Sequence, residues 1–351
     1  VTTNVDVLVV GLGPAGSAAA WAAARAGLSV LAIDRKQRIG EPVQCAEFVP
    51  RPLSTYTAEP GVLVQHIQGM NSVLPSGDLE RSPFQGLMVD RAEFDRSLAR
   101  RAEAAGARVS TRTRLAWLDG TTARLQVGKR TNSVDWRVLV AADGPHSQVA
   151  RLLGLPALET VQTRQYTVPL TQACTETDIW LSDLYPGGYG WLFPRGDRAN
   201  LGLGADRRLT AELRTPLDRL HAHLVACGRV GAECFFRTGG AIPVSGLRER
   251  VVAGPVLFAG DAAGLTHPIS GAGIAAAVQS GEMAGDAAAA YLGGRASALA
   301  DYESELREQY GPSLERALSR RAWLAQFWRK RAANDDAVQR RGWIAFKEYF
   351  E

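Results

Sequence analysis

This sequence of 351 residues predicts an α/β protein, and three observations predict it. An apolar strand, VDVLVV (5–10), runs through Gly11, Gly13 and Gly16 into an alanine-rich helix. A second segment, Gly260-Asp261 with Gly264, stands before another alanine-rich helix far along the chain. Between them, from about 155 to 250, alternating and aromatic-rich stretches replace the alanine helices. These textures give a Rossmann-like nucleotide-binding domain, an antiparallel-sheet substrate domain and a helical C-terminal segment. The expected boundaries are 1–60, 88–154 and 251–300 for the discontinuous nucleotide-binding domain. The substrate domain takes 61–87 and 155–250, and the helical segment 301–351.

Bulk properties are those of a globular protein with room for a substantial core: 46% hydrophobic, 22% charged, net charge +4. The small charge gives no reason to expect nucleic acid as a partner. No run of 18 apolar residues is present, and the polar opening VTTN leads into a buried strand rather than a signal peptide. Cys45, Cys174, Cys227 and Cys234 form no CxxC pair, so no metal site is expected. Free thiols in a cytoplasmic setting are the expectation.

The first unit reads strand 5–10, helix 15–26 closed by Gly27, and strand LSVLAID ending at Asp34. This is a βαβ unit with the glycine fingerprint in its proper place. Gly11 permits the tight turn, Gly13 admits a pyrophosphate, and Gly16 lets helix and strand pack. Pro14 and Ala15 complete a helix N-terminus whose amides face the anion. Asp34 can accept ribose hydroxyls. Arg35 could reach the adenine-side ribose or phosphate, or be a solvated charge. This unit alone leaves FAD and NAD open. In IGEPVQCAEF (39–48), Gly40 and Pro42 break regular structure, and Cys45 either faces the cofactor or is a small buried residue.

Residues 88–106 have helical spacing, with Arg91 near the start where it could meet phosphate or a cofactor edge. Strands follow at ARVST and TTARLQV. Then VLVAA reads as a parallel strand returning to the first sheet, ending at Asp143-Gly144. In the middle region, Tyr189, Trp191 and Phe193 recur at period two on one strand face, as core packing or as an apolar ligand wall. Beyond it, VLFAGD ends at Asp261, whose carboxylate could cap amides or bind a ribityl chain. Gly271, Gly273 and Ile274 open a helix to about Tyr291 that can aim its N-terminus at the cofactor. His267 could donate a proton, but loop hydrogen bonding is the favoured role. Two phosphate-handling segments so far apart fit one long dinucleotide, and that points to FAD.

The tail carries Trp323, Phe327, Trp328, Trp343, Phe346, Tyr349 and Phe350 among basic residues. From 315 to 351 it holds nine Lys/Arg and five Asp/Glu, 9 − 5 = +4. A helix pair packed on the substrate domain is the favoured reading; docking to a protein or to the inner face of a membrane is the alternative.

Taken together, these residues resemble the hydroxylase-like flavoprotein superfamily of the p-hydroxybenzoate hydroxylase type. The resemblance rests on GLGPAG with Asp34, on Arg91, on Ala142-Asp143-Gly144 and on Gly260-Asp261-Ala262, in order over roughly 5–300. Within that superfamily, PGGYGWLFP is similar to the Pro-x-x-Tyr-x-Trp-x-Phe-Pro pattern of the geranylgeranyl reductase family. The matching positions are Pro186, Tyr189, Trp191, Phe193 and Pro194, and Cys45 resembles a cysteine of these reductases. The resemblance implies bound FAD, an aromatic strand lining the substrate cavity, Cys45 near the flavin ring, and reduction of isolated C=C bonds in prenyl chains. Tyr189 and Trp191 would then shape a long apolar pocket.

The leading expectation is therefore an FAD-dependent oxidoreductase that reduces C=C bonds of an isoprenoid or related apolar substrate. No second GxGxxG is present, so an external donor, NAD(P)H without its own Rossmann domain or reduced ferredoxin, supplies electrons. The alternatives are an FAD-dependent monooxygenase acting on an aromatic or peptide-linked substrate, and a flavin-binding electron-transfer or docking protein. A halogenase is disfavoured because no WxWxIP-like segment is present.

Overall fold

A computed structural model describes residues 3–210 and 212–351; Val1 and Thr2 of the polar opening lie outside them. The helices are α1 Pro14–Arg25, α2 Arg91–Ala104, α3 Gln148–Leu152, α4 Arg214–Ala226, α5 Ile274–Leu292, α6 Ala298–Arg329 and α7 Asp336–Gly342. No helix of the described residues is long and apolar enough to cross a membrane.

The valine-rich N-terminal strand is buried on both sides, so it belongs in the middle of a parallel sheet. Thr3–Val10 indeed pairs in parallel with Arg130–Ala141 on one side and Val30–Ile33 on the other. Val256–Phe258 extends the sheet beyond Arg130–Ala141, and Arg108–Ser110 extends it beyond Val30–Ile33, both in parallel. The hairpin Thr113–Asp119 and Thr122–Val127 leaves this sheet antiparallel. Helices α1 and α5 cover the sheet together and touch almost backbone to backbone. A Cβ on Gly281 of α5 would stand 2.1 Å from the Ala15 carbonyl oxygen, and one on Gly285 would stand 2.5 Å from that of Ala19. The alanine-glycine texture is what that approach requires.

The second large sheet orders Phe236–Thr238, Thr160–Pro169, Arg198–Ala205, Gly190–Arg195, Glu176–Trp180, Gly69–Val73 and Leu79–Ser82. It is antiparallel except where Glu176–Trp180 meets Gly69–Val73. Alternation divides its two faces. Leu192, Leu201 and Leu203 pack with Leu217, Leu220 and Leu224 of α4. Trp191, Ile179 and Met70 face the other way and meet Trp343 and Phe346 of the tail. A small third sheet joins Phe48–Pro50, Gly86–Val89 and Leu63–Ile67.

Several elements differ from the sequence expectation. The pattern over 155–250 predicts strands alone, and α4 is added there because Leu217, Leu220 and Leu224 recur at helical spacing. The helix expected from residue 88 starts at Arg91. Its first residues belong to Gly86–Val89, and the Asp90 side chain accepts the Glu93 N–H at 2.9 Å as the cap. DIWLSDLY keeps its strand only to Trp180, and VLFAGD only to Phe258, with Asp261 in a 3-10 turn. Helix α5 begins at Ile274 because Gly271 at φ +69° and the N-cap Gly273 at φ −142° both stand outside the helical region. In the tail, Trp343, Phe346 and Tyr349 are buried, whereas Phe350 is exposed.

Candidate active site

Gly11 takes φ +100°, and a Cβ there would lie 2.3 Å from the Ala142 carbonyl oxygen. Gly16 is as tightly placed, 1.8 Å from Gly11 O by the same measure. Gly13 differs: a Cβ on it would meet nothing within 4 Å. It precedes Pro14 as the α1 N-cap without a side-chain cap, leaving the helix's first amides to an outside acceptor. Asp34 sits beneath this turn, its carboxylate accepting the Leu12 N–H at 2.9 Å and the Lys36 N–H at 2.8 Å. Arg35 is exposed and makes no side-chain hydrogen bond or ion pair among the described residues.

The distant glycine segment closes on the same place. A Cβ on Gly260 would lie 2.9 Å from Ala15 Cβ and 3.3 Å from Ala277 Cβ. Asp261 accepts the Thr266 hydroxyl at 2.6 Å; burial pushes its carboxyl up against the pull of Thr266 and Arg91. Gly273 caps α5 with no side-chain partner, beside Thr266 and Asp261, and Ile274 follows it as the first helical residue. Gly271 approaches the Tyr189 hydroxyl. Asp143 holds the N-terminus of α3, its Oδ2 accepting from the Gln148 and Val149 amides at 2.7 and 3.1 Å. Its Oδ1 is buried with no partner, and neighbouring Gly144 has open space beside it. Two uncapped helix N-termini, an unpartnered carboxylate oxygen and open glycines are the donor and acceptor set a dinucleotide needs. The residues fit FAD.

Next to this cradle, the Cys45 loop is clamped between α2 and the second large sheet. Glu47 is buried at φ +71°, unusual for a non-glycine residue. Its carboxylate accepts the Arg91 N–H at 3.0 Å and the Asn200 amide at 2.8 Å, and faces Arg195 at 3.1 Å. Arg195 also holds Asp90, the α2 cap, at 2.6 Å. Cys45 is half-buried, and burial pushes its thiol up against the pull of Arg91. Arg91 itself is fastened to Asp95 at 3.1 Å. Gln165 joins the loop to the aromatic strand: it donates to Cys45 O at 3.0 Å and accepts the Trp191 indole N–H at 3.1 Å.

Tyr189, Trp191 and Phe193 share one apolar cluster. Trp191 is buried, and Tyr189 packs edge-on against it with ring centroids 5.7 Å apart. The Tyr189 hydroxyl donates to Ser270 O at 2.5 Å, and burial pushes its pKa up. That bond ties the aromatic strand to the loop of His267. The His267 Nδ1 accepts the Ser270 N–H at 3.2 Å, and Nε2 lies 3.5 Å from the Tyr349 hydroxyl. Burial lowers its pKa to about 4, so the ring is neutral at pH 7 and its contacts are those of a loop anchor. Arg321 of α6 completes the arrangement by donating to Gly187 O at 2.8 Å while paired with Asp206 at 3.0 Å.

The structure thus brings together Cys45, Arg91, Asp261, the Gly271–Ile274 helix mouth, Tyr189, Trp191 and His267, with the two glycine segments meeting at Ala15. Arg35 stays apart. Glu47, Gln165, Arg195, Asn200 and Arg321 are the positioning residues that sequence reasoning missed. Only Arg195, directly after the Phe193-Pro194 pair, carried a local signal.

The model of the FAD dependent oxidoreductase family matches residues 6–121. The digeranylgeranylglycerophospholipid reductase of Methanocella arvoryzae is 34% identical over 340 residues, 90% of this chain and 86% of that protein. The structure of a geranylgeranyl bacteriochlorophyll reductase-like protein from Thermoplasma acidophilum superposes with TM-score 0.89 at 26% identity, covering 97% of this chain and 92% of that one. PqsL of Pseudomonas aeruginosa, a probable FAD-dependent monooxygenase, shares the fold at TM-score 0.70 and 20% identity, over 94% of this chain and 99% of its own. With the reductase relative matched along nine-tenths of the chain, on a site that fits the dinucleotide, the chain belongs to the digeranylgeranylglycerophospholipid reductase family of FAD-dependent oxidoreductases.

Proposed function

We propose that the protein saturates isolated carbon–carbon double bonds in the prenyl chains of an isoprenoid lipid. The observation that carries this reading is the apolar wall of Tyr189, Trp191 and Phe193, hydrogen-bonded through Gln165 and Ser270 to the loops of Cys45 and His267. Such a wall offers an alkene chain contact area and few polar partners, which suits a substrate without hydrogen-bonding groups along its length. Bound FAD, reduced by an external donor such as NAD(P)H or ferredoxin, supplies the hydride.

The chain's own residues bind and orient. The Gly11–Gly16 turn and the α1 amides hold the pyrophosphate, with Asp34 on the adenosine ribose and Asp143 and Asp261 taking hydroxyl donors. Gly271, Gly273 and Ile274 let the backbone come close to the ring, and Arg91 sets a positive charge beside Cys45. The Cys45 thiol, kept protonated by burial, lies close enough to Tyr189 to influence its ionisation and is our candidate proton source.

The test is anaerobic turnover of the dithionite-reduced, FAD-loaded protein with geranylgeranyl diphosphate or a digeranylgeranylglyceryl phospholipid. Mass spectrometry should show one H₂ added per double bond. Oxygen insertion in an aerobic run, with unsaturation intact under both conditions, would sink the reading.

A further inference from the structure

The apolar wall has an end. Beyond Tyr189 stands Trp343, from the segment after α7, only 3% exposed and with its ring centroid 4.8 Å from that of Tyr189. The cavity left between them is about 20 Å³, bounded by Leu181, Ile269, Leu324 and Trp328, by the polar Arg321 and Gln339, and by the two rings. Pockets for organic ligands run to roughly 300–1,000 Å³, so no isoprene unit passes Trp343 in this arrangement. The Trp343 indole N–H is buried with no hydrogen-bond partner, as is that of Trp328 across the same cavity. Buried tryptophans ordinarily find a partner for that group, and leaving it unmet is unfavourable. What the Trp343 ring supplies at this place is bulk, filling the space against Tyr189.

We propose that Trp343 is a specificity-determining residue that stops the apolar wall and limits how much of a prenyl chain extends past Tyr189. The proposal rests on the prenyl-lipid reading above. It assigns the tail a part in substrate choice rather than in the redox step.

The experiment compares the FAD-loaded full chain with Trp343→Phe, Trp343→Leu and Trp343→Ala on geranyl, farnesyl and geranylgeranyl diphosphate. Two quantities are read: kcat/KM for double-bond loss, and equilibrium binding to the oxidised protein. The preference for the longest over the shortest chain should rise in the order Phe, Leu, Ala. For Trp343→Ala it should reach about ten-fold or more, the lower end of what one methylene is worth in an apolar pocket. Should the alanine variant lose its flavin, the phenylalanine and leucine variants carry the series. Unchanged length preference in variants that retain flavin and melting temperature overturns the proposal. If the unsubstituted protein saturates none of the three and leaves a digeranylgeranylglyceryl phospholipid unsaturated as well, the prenyl-reductase reading fails by itself, and the binding preference then decides the role of Trp343. If none of the three binds, both fall.

Discussion

Gly13 and Gly16 lie three residues apart and do different work. A methyl group on Gly16 would overlap the Gly11 carbonyl, whereas one on Gly13 would meet only open space. Gly16→Ala should therefore damage the helix–strand packing itself, lowering expression and melting temperature together. Gly13 has φ −77°, which alanine adopts freely, so Gly13→Ala should leave the apoprotein's melting temperature unchanged while flavin absorbance is lost on desalting. An apoprotein destabilised equally by both substitutions would refute this division of roles. Glycine chemistry of this kind is local, and the fingerprint was legible for that reason: tight turn, anion approach and close packing are all conditions on a few neighbouring residues. Glu47 shows the opposite case. Nothing in GEPVQCAEF marks this glutamate, because its three partners come from α2 and from two strand residues far along the chain.

At the scale of elements, two loops govern the site. The Cys45 loop hangs on Glu47, and removing one member of a buried ion pair costs about 3–5 kcal/mol. Glu47→Ala should destabilise on that order and speed labelling of Cys45 by a maleimide, measured against denaturant melts and the labelling rate of the unsubstituted protein. The His267 loop carries a pH signature. A free histidine titrates near 6.5, the buried ring only near 4. Between those values the unfolded chain binds a proton that the folded chain refuses, so stability falls as pH drops from 6.5 towards 4, and the penalty is complete below it. His267→Gln should flatten that part of the melting-temperature profile; an unaltered slope would show that other groups set it. The aromatic strand was readable as a stripe because strand period is fixed at two. Its companion Gln165, which satisfies the Trp191 indole, was not readable, since cross-strand pairing depends on a register the sequence does not spell out.

For the molecule as a whole, the cradle proposed for FAD spans segments that are distant in sequence. The turn at Gly11, the end of the strand at Asp143 and the turn at Gly260 all border one cradle. Binding at one hundred times Kd adds about 2.7 kcal/mol to folding, so removing FAD should lower the melting temperature by roughly 5 °C. Hydrogen exchange should then rise at 11–16 and 260–264 together. Exchange rising at one segment alone would mean the two are not joined through the ligand. The alternation of fold texture along the chain made this architecture legible, while α4 and the inward burial of Trp343, Phe346 and Tyr349 depended on partners found only in the folded state. The order in which the central sheet is assembled also governs its biosynthesis. Val256–Phe258 pairs with Arg130–Ala141, yet it leaves the ribosome only after the entire second sheet has been translated. Until then the Arg130–Ala141 strand waits with its edge open at Leu139–Ala141, the kind of surface on which nascent chains aggregate. Soluble yield during overproduction should accordingly respond to chaperone supply and slowed elongation more than to any surface substitution.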